Sequence, residues 1–279
     1  MKRIITIQDI SCVGKCSLTV ALPIISAMGT EAAVLPTAVL STHTMFTGYT
    51  FKDLTDQIAP IAEHWKKEKL GFDAIYTGYL GSFEQLDLVS SFFDDFKTEE
   101  NIIFVDPVMG DNGKLYTGFT DEFARKMAEL CGKADIIVPN MTEACAMTGS
   151  EYKTGPYTKE YLQDMLKKLA GLGAKKAVIT GASMKEGMTG VMAYDPVTDD
   201  FFTYAHPMVA ASYHGTGDIF ASACVGALMK GKSLEQALAL AASFTSRCIQ
   251  VTYDSGKTQW YGVDFEAVIP ELIDLVNAK

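Results

Sequence analysis

Short apolar segments alternate with longer amphipathic ones along most of this chain, and this alternation is the feature that most constrains its fold. Five apolar segments, each almost uninterrupted by charge, lie at residues 3–8, 73–78, 101–106, 134–139 and 176–181. Strands that are buried on both faces of a parallel sheet have this composition. Strands that alternate with helices are typical of an open sheet covered by helices. The sequence therefore predicts a three-layer α/β/α fold with a mostly parallel sheet.

The other segments fit the same architecture. Predicted helices lie at residues 17–28, 53–69, 82–96, 120–131 and 158–172, and three more follow at 217–230, 233–253 and 263–277. Two segments interrupt the alternation: residues 31–51 predict an edge strand with a small β flap, and residues 189–207 predict a hairpin that turns at Asp195 and Pro196. We find no internal repeat or linker, so we expect one domain over residues 1–279.

Charge and composition exclude several classes of protein. The formal net charge is −10, from 24 Lys and Arg against 34 Asp and Glu, whereas a nucleic-acid surface requires a basic face. No segment reaches the roughly 18 apolar residues of a membrane span. The N-terminal apolar run stops at Gln8, too early for a signal peptide. The six cysteines form no CxxC pair, which favours reduced thiols and a cytoplasmic protein without a nucleic-acid or membrane partner.

Polar and small residues collect where the predicted strands end. They are Gln8, Asp9, Thr77, Gly78, Tyr79, Asp106, Asp111, Asn140, Glu143, Thr180 and Gly181. Because ligands of open α/β sheets bind at the carboxyl ends of the strands, these residues together predict a site. Some have a purely structural explanation: Asn140 and Glu143 show the spacing of a capping box, which alone favours that role. His43 and His206 are likewise expected to be structural rather than catalytic.

The segment HGTGD at residues 214–218 precedes a strongly apolar predicted helix. A helix that begins near Asp218 has unpaired amides in its first turn, and Gly215, Thr216 and Gly217 allow the backbone to approach a ligand closely. These amides and the helix dipole together favour the binding of an anion. The presence of a carboxylate beside such an anion is explained if the carboxylate accepts a proton from the group that attacks the anion. We therefore predict phosphoryl transfer with Asp218 as the general base, kept ionised by the amides.

Two other phosphate-binding motifs are excluded. SCVGKCS at residues 11–17 shares only its Gly-Lys pair with a P-loop, since Cys16 follows Lys15 and Asp9 stands where the first glycine belongs. HGTGDIFAS departs from G-x-G-x-x-G because Phe220 occupies the third glycine position. Neither a Walker-type site nor a dinucleotide site is therefore predicted.

These motifs resemble the ribokinase-like superfamily, and within it the vitamin B6 (pyridoxal, pyridoxamine and pyridoxine) kinases. The similarity runs through IQDIS, VLSTHT, TGYLG, VDPVMGD, PNMTEA and HGTGDIFA, from residue 7 to residue 221. GTGD marks the superfamily, whereas TGY together with STHT narrows the resemblance to B6 kinases. It implies ATP-dependent phosphorylation of the 5′-hydroxymethyl group of a B6 vitamer, in salvage of pyridoxal 5′-phosphate, with Mg²⁺, a response to K⁺ and a homodimer.

The resemblance also implies a role for each matched residue. Asp218 would deprotonate the hydroxymethyl group, while Gly215, Thr216 and Gly217 would hold the γ-phosphate. The residues expected around the nucleotide and Mg²⁺ are Asp106, Asp111, Asn140, Glu143, Thr180 and Gly181, with Asp106 and Glu143 as metal ligands. The residues expected around the pyridine ring are Asp9, His43, Thr44 and Tyr79. The segment 254–262 is a candidate neighbour of the adenine.

Three departures from the B6 kinase pattern bear on substrate preference. Asp9 stands where many of these kinases have Ser, Met45 and Phe46 follow the His-Thr pair, and Val138 replaces a Thr of some relatives. The nearest alternative is a hydroxymethylpyrimidine (phosphate) kinase of thiamine synthesis, because its substrate is also a small aromatic heterocycle with a CH₂OH group. A non-catalytic sensor of vitamer or nucleotide is the alternative from another class, and the presence of Asp218 argues against it.

Overall fold

The computed structural model describes residues 1–256 and 260–278. The strands are β1 (Arg3–Ser11), β2 (Glu31–Leu40), β3 (Phe51–Asp53), β4 (Ala74–Thr77), β5 (Ile102–Val105), β6 (Gly110–Asp111), β7 (Lys114–Leu115), β8 (Ile136–Ile137), β9 (Lys176–Thr180), β10 (Met188–Asp195) and β11 (Asp200–Pro207). The helices are α1 (Leu18–Ala27), α2 (Thr55–Lys67), α3 (Phe83–Phe96), α4 (Asp121–Cys131), α5 (Met141–Thr148), α6 (Lys159–Ala170), α7 (Thr216–Met229), α8 (Leu234–Asp254) and α9 (Ile269–Asn277).

The chain forms two compact units, of which the first comprises residues 1–78 and 209–279. Its strands lie in the order β4-β1-β2-β3. β1 pairs in parallel with both β2 and β4, so Ile5 lies between Ala33 and Ile75, and the short β3 is antiparallel to β2. Ile4, Ile5 and Ile7 of β1 are completely buried, as a strand in the middle of a covered sheet requires.

The second unit comprises residues 79–208. Its strands lie in the order β11-β10-β9-β8-β5. β5, β8 and β9 are parallel, whereas β10 and β11 form the expected antiparallel hairpin. A separate two-stranded antiparallel sheet is made by β6 and β7. The predicted α/β class, with a mostly parallel sheet and flanking helices, is confirmed, and the single domain over residues 1–279 stays a prediction.

Helix α7 is buried around its whole circumference, which explains its lack of a polar face. Nine of its residues, from Ile219 to Ala227, are buried. It packs against α1 and α8, and a Cβ at Gly226 would contact the sulfur of Met28 at 2.5 Å. A helix that is apolar on all sides belongs in a core. Its N-terminus is therefore held in place by the packing of the rest of the helix.

Four details of the sequence prediction were wrong. The segment 31–51 does not begin with an edge strand, because β2 lies between β1 and β3. Helix α5 follows the capping box at Asn140 and had not been assigned. Helix α7 begins at Thr216, before the predicted start. The last predicted helix is a 3₁₀ turn at Phe265–Ala267 followed by α9.

Within residues 1–256 and 260–278, no helix is both long enough and apolar enough to cross a membrane. The segment 254–262, predicted to lie near the adenine, falls partly outside the described residues.

Candidate active site

Asp9 lies at an irregularity near the carboxyl end of β1. The register with β2 shifts between Gln8 and Ile10, so two residues of β2, Thr37 and Ala38, stand opposite Asp9 alone. Bulges of this kind redirect a side chain and are common beside active sites. The Asp9 side chain is buried, and its two carboxylate oxygens accept hydrogen bonds from serine hydroxyls, from Ser17 at 2.6 Å and from Ser11 at 2.9 Å.

The loop between β1 and α1 has an unusual backbone. Gly14, Lys15 and Ser17 all have positive φ, at 147°, 51° and 51°. Such conformations in residues other than glycine cost about 1–3 kcal/mol each and cluster at functional sites. The loop is anchored by Lys15, whose ammonium group lies 2.8 Å from a carboxylate oxygen of Asp264 and 2.8 Å from one of Glu266. The sequence indicates this loop only as an incomplete P-loop.

Gly215 has a structural requirement of its own. It is the N-cap of α7 with φ of 80°, and a Cβ there would collide with the carbonyl oxygen of Lys15. Only glycine adopts this conformation without strain and leaves room for that approach. The amides of the first helical turn, from Thr216 to Asp218, follow directly and have no acceptor within the helix. The segment thus presents backbone donors next to a carboxylate.

The protonation of Asp218 differs from the prediction. We expected the amides and the helix dipole to favour the ionised carboxylate. Instead, burial raises the pKa of Asp218 to about 7, and the charge of Asp9 adds to this, although the backbone of Ser17 lowers it. The side chain keeps partial solvent access, yet the protein atoms around it dominate its pKa. A pKa near neutrality suits a general base that gains and releases a proton in each cycle.

His43 is held by two hydrogen bonds. Its Nδ1 accepts from the amide of Met45 at 3.2 Å, so its Nε2 carries the proton and donates to the carbonyl of Tyr261 at 3.1 Å. Burial lowers its pKa, which is consistent with this neutral form. His214 lies beside it, with ring centroids 4.4 Å apart. His43 therefore ties residues 41–50 to the segment around Tyr261, whereas its neighbour Thr44 is exposed.

In the second unit, three of the predicted strand-end clusters come together. The side-chain amide of Asn140 donates to the carbonyl of Gly110 at 2.8 Å, and Asn140 forms a β-bridge with Thr180. The Glu143 carboxylate accepts from the amide of Met109 at 3.1 Å. Thus the loop 106–111, the start of α5 and the end of β9 meet at one edge of this unit's sheet.

Glu143 closes the predicted capping box. Its carboxylate accepts from the Asn140 amide at 2.9 Å while the Asn140 side chain accepts from the Glu143 amide at 3.0 Å. Burial raises the pKa of Glu143 to about 8, and the nearby charge of Asp111 contributes. The capping box that the sequence predicts for Asn140 and Glu143 is therefore confirmed. Its role around a nucleotide or metal stays a prediction.

The hairpin of β6 and β7 was missed by sequence analysis although the sequence contains its signal. Asn112 and Gly113 have φ of 51° and 77°, as a two-residue type I′ turn requires, and Asn-Gly is the favoured pair there. The hairpin brings the amide of Gly113 to the hydroxyl of Thr142, at 2.9 Å. It therefore fixes Asp111 close to the start of α5.

Tyr79 is the first residue of the second unit and is half-buried. Its ring lies beside that of Phe119, with centroids 5.7 Å apart, and Phe119 in turn stacks on Phe123 at 4.3 Å. Such aromatic packing holds the phenol ring in one orientation.

The sequence profile of the phosphomethylpyrimidine kinase family matches residues 22–262 of this chain. The chain therefore belongs to that family. A candidate phosphomethylpyrimidine kinase of Bacteroides thetaiotaomicron has a structure with a TM-score of 0.93 and 41% identity, covering 97% of this chain and 93% of its own. An orthorhombic crystal form described with pyridoxal has a TM-score of 0.91 at the same identity.

Two further relatives are named for different substrates. The pyridoxal kinase of Lactobacillus plantarum has a TM-score of 0.90 and 31% identity over 99% of this chain and 98% of its own. The hydroxymethylpyrimidine/phosphomethylpyrimidine kinase of Bacillus subtilis is 27% identical over 210 residues, 74% of this chain and 72% of its own. The expected resemblance to vitamin B6 kinases of the ribokinase-like superfamily is confirmed, and the chain is a kinase.

Proposed function

We propose that this kinase transfers the γ-phosphoryl group of ATP to the 5′-hydroxymethyl group of a vitamin B6 vitamer, the reaction of a pyridoxal kinase. The observation that carries the proposal is Asp218, a carboxyl group with a pKa of about 7 in the first turn of α7, beside unpaired backbone amides. The 31% identity to a pyridoxal kinase over nearly the whole chain supports the choice of vitamer.

The residues of the first unit supply proton transfer and charge stabilisation. Asp218 takes the proton of the hydroxymethyl group as its oxygen attacks phosphorus. The amides that follow Gly215, at Thr216 and Gly217, stabilise the charge on the γ-phosphoryl oxygens, and the helix dipole adds to their effect. Proton transfer of this kind contributes about 10²–10⁴-fold to a rate.

The residues of the second unit suit Mg²⁺ chemically. Asp106, Asp111 and Glu143 supply carboxylate oxygens, which are the ligands of this ion, and Mg²⁺ in kinases is held by one or two carboxylates together with substrate phosphates and water. The residues at positions 1–256 and 260–278 include no group of three or more His, Cys, Asp or Glu side chains that could hold a metal alone. Bound there, Mg²⁺ would neutralise phosphate charge.

We expect the two candidate metal ligands to behave differently when they are changed. Asp106→Asn should raise the Mg²⁺ concentration for half-maximal rate by about tenfold, since it removes a charge, a loss on the scale of one strong ligand. Glu143→Gln should have a smaller effect on Mg²⁺ and lower the melting temperature, because both Glu143 oxygens accept backbone N–H groups. Titrating activity with MgCl₂ and measuring thermal unfolding separates the two; equal Mg²⁺ effects would contradict this assignment.

Several assignments rest on the resemblance and remain part of the proposal. Thr180 and Gly181 would contact the nucleotide. Tyr79, Thr44 and His43 would lie around the pyridine ring, with His43 acting through the segment 41–50 that it holds. Activation by K⁺, a homodimer and a cytoplasmic location belong to the same proposal.

The family profile and the Bacillus subtilis relative favour one second candidate, phosphorylation of hydroxymethylpyrimidine or its phosphate. A B6 vitamer and hydroxymethylpyrimidine each present a CH₂OH group on an aromatic nitrogen heterocycle. The same base and amides would serve either reaction, so the residues around the ring decide between them.

One experiment tests the proposal. The purified protein is given Mg-ATP with pyridoxal, pyridoxamine, pyridoxine or hydroxymethylpyrimidine, and ADP release is followed. We expect the highest kcat/KM with a B6 vitamer. A response to the pyrimidine alone would assign the protein to thiamine synthesis, and binding of vitamer without turnover would show a sensor.

A further inference from the structure

The backbone of Lys15 lies directly against the start of α7. Its carbonyl oxygen occupies the place where a Cβ of Gly215 would stand, so no side chain fits between the two segments. Gly215 is the N-cap of α7, and its carbonyl accepts a hydrogen bond from the amide of Ile219 at 3.1 Å. The position of Lys15 therefore limits where the first turn of the helix can lie.

Lys15 has a backbone conformation that the loop by itself does not favour. Its φ is 51°, in the left-handed region, where the Cβ of a residue other than glycine approaches the following carbonyl too closely. On another side, a Cβ at Gly262 would lie 2.6 Å from the Cβ of Lys15. Lys15 is thus confined between Gly215 and Gly262, and contacts outside the loop are needed to keep it there.

The ammonium group of Lys15 makes those contacts. It lies 2.8 Å from a carboxylate oxygen of Asp264, whose side chain is 13% exposed, and 2.8 Å from one of Glu266, whose side chain is 55% exposed. Ion pairs in water contribute little to stability, whereas removal of one partner of a buried pair leaves an uncompensated charge. Asp264 is therefore the more important partner of Lys15.

Asp264 is itself fixed to α8. Its amide donates to the hydroxyl of Thr252 at 2.8 Å, and that hydroxyl donates to the carbonyl of Cys248 at 2.7 Å. Both of these residues of α8 are almost completely buried, and α8 packs against α7. The contacts thus form a closed series, from α8 through Asp264 and Lys15 to the start of α7.

We propose that Lys15 is a positioning residue for phosphoryl transfer. Its ion pair with Asp264 holds the Lys15 carbonyl against Gly215, which fixes the first turn of α7. That turn carries Asp218 and the amides that stabilise the phosphoryl oxygens in the proposed reaction, so the inference rests on the proposed function. The lysine of a P-loop reaches the phosphates, whereas the ammonium group of Lys15 is already held by two carboxylates. Lys15 therefore acts through its backbone.

Kinetics of four variants test the inference. Lys15→Met and Asp264→Asn should each lower kcat about tenfold and change KM by less than about twofold, because a displaced turn acts on the transition state. The double variant should lose no more than either single one, since both changes break the same contact. Glu266→Gln, the matched control, removes the exposed carboxylate from the same ammonium group and should keep kcat within about twofold. Lys15→Arg keeps the charge and should restore most of kcat.

Amide hydrogen exchange, measured by NMR without substrate, separates positioning from a general loss of stability. The amide of Ile219, paired with the carbonyl of Gly215, reports on the first turn of α7, and the amide of Lys230 reports on the other end of the helix. Lys15→Met and Asp264→Asn should speed exchange at Ile219 by at least about tenfold and leave exchange at Lys230 unchanged. Asp264→Asn keeps the shape of its side chain and carries the test if Lys15→Met does not fold.

Three results would overturn the inference: equal acceleration at Ile219 and Lys230, unchanged exchange at Ile219, or equal kinetic effects of Asp264→Asn and Glu266→Gln. A wild type that phosphorylates neither a B6 vitamer nor hydroxymethylpyrimidine would instead refute the proposed function. Accelerated exchange confined to Ile219 would in that case still show that Lys15 fixes the start of α7.

Discussion

Replacement of Asp218 by Asn is expected to lower kcat by at least about 10²-fold, the usual contribution of a positioned general base. Asn has nearly the same shape as Asp, so ATP affinity should change little. Steady-state kinetics with ATP and a B6 vitamer measure both values. Turnover close to that of wild type would exclude Asp218 as the base.

The same substitution should not destabilise the protein at alkaline pH. The pKa of Asp218 is about 7, above its ordinary value of 3.8, so its contribution to stability is full below pH 4 and is lost as pH rises through 7. At pH 8 the wild type carries a buried charge that Asn lacks. Thermal unfolding of Asp218→Asn at pH 8 should therefore begin at or above the wild-type temperature, which separates loss of catalysis from loss of fold.

Replacement of Gly215 by Ala is expected to have the second largest effect, a fall in kcat of about 10²-fold, because displacements near 1 Å at a reacting group have that cost. The new Cβ would collide with the Lys15 carbonyl, and φ of 80° disfavours any side chain. Either the β1–α1 loop or the start of α7 must then move, and Asp218 lies in the first turn of α7. Kinetics and thermal unfolding measure the loss.

Gly231 offers a matched control for that variant. It also has a positive φ, of 83°, but a Cβ there would meet nothing within 4 Å. Gly231→Ala should therefore lose about 1 kcal/mol of stability through the backbone alone and keep its activity. If both alanine variants lose stability equally and both keep their kcat, the approach of Lys15 to Gly215 has no catalytic importance.

Local patterns were sufficient for most of the fold. The apolar segments 3–8, 73–78, 101–106, 134–139 and 176–181 are all strands in the structure, because their side chains have no stable place outside a covered sheet. The position of β2 could not be predicted in the same way. Its sequence is consistent with either an edge or an inner strand, and only its pairing with both neighbours, β1 and β3, decides.

Local patterns in the sequence likewise predicted some residues of the candidate site and missed others. Motif and spacing identified Asp218, Gly215 and the capping pair Asn140 and Glu143, because each depends on residues within a few positions in the chain. Ser17 was missed, since an N-cap serine has an ordinary explanation in sequence, whereas its hydroxyl donates to the carboxylate of Asp9.

The sequence by itself thus determined the fold class and the family, and it predicted Asp218 as the base. The tertiary structure alone decided how that base is tuned. The amides of α7 are local to Asp218 and predicted an ionised carboxylate, whereas burial and the charge of Asp9 raise its pKa to about 7. Desolvation and charge repulsion are set by whatever surrounds a group in space. For Asp218 those surroundings come from the opposite end of the chain, and only folding brings them together.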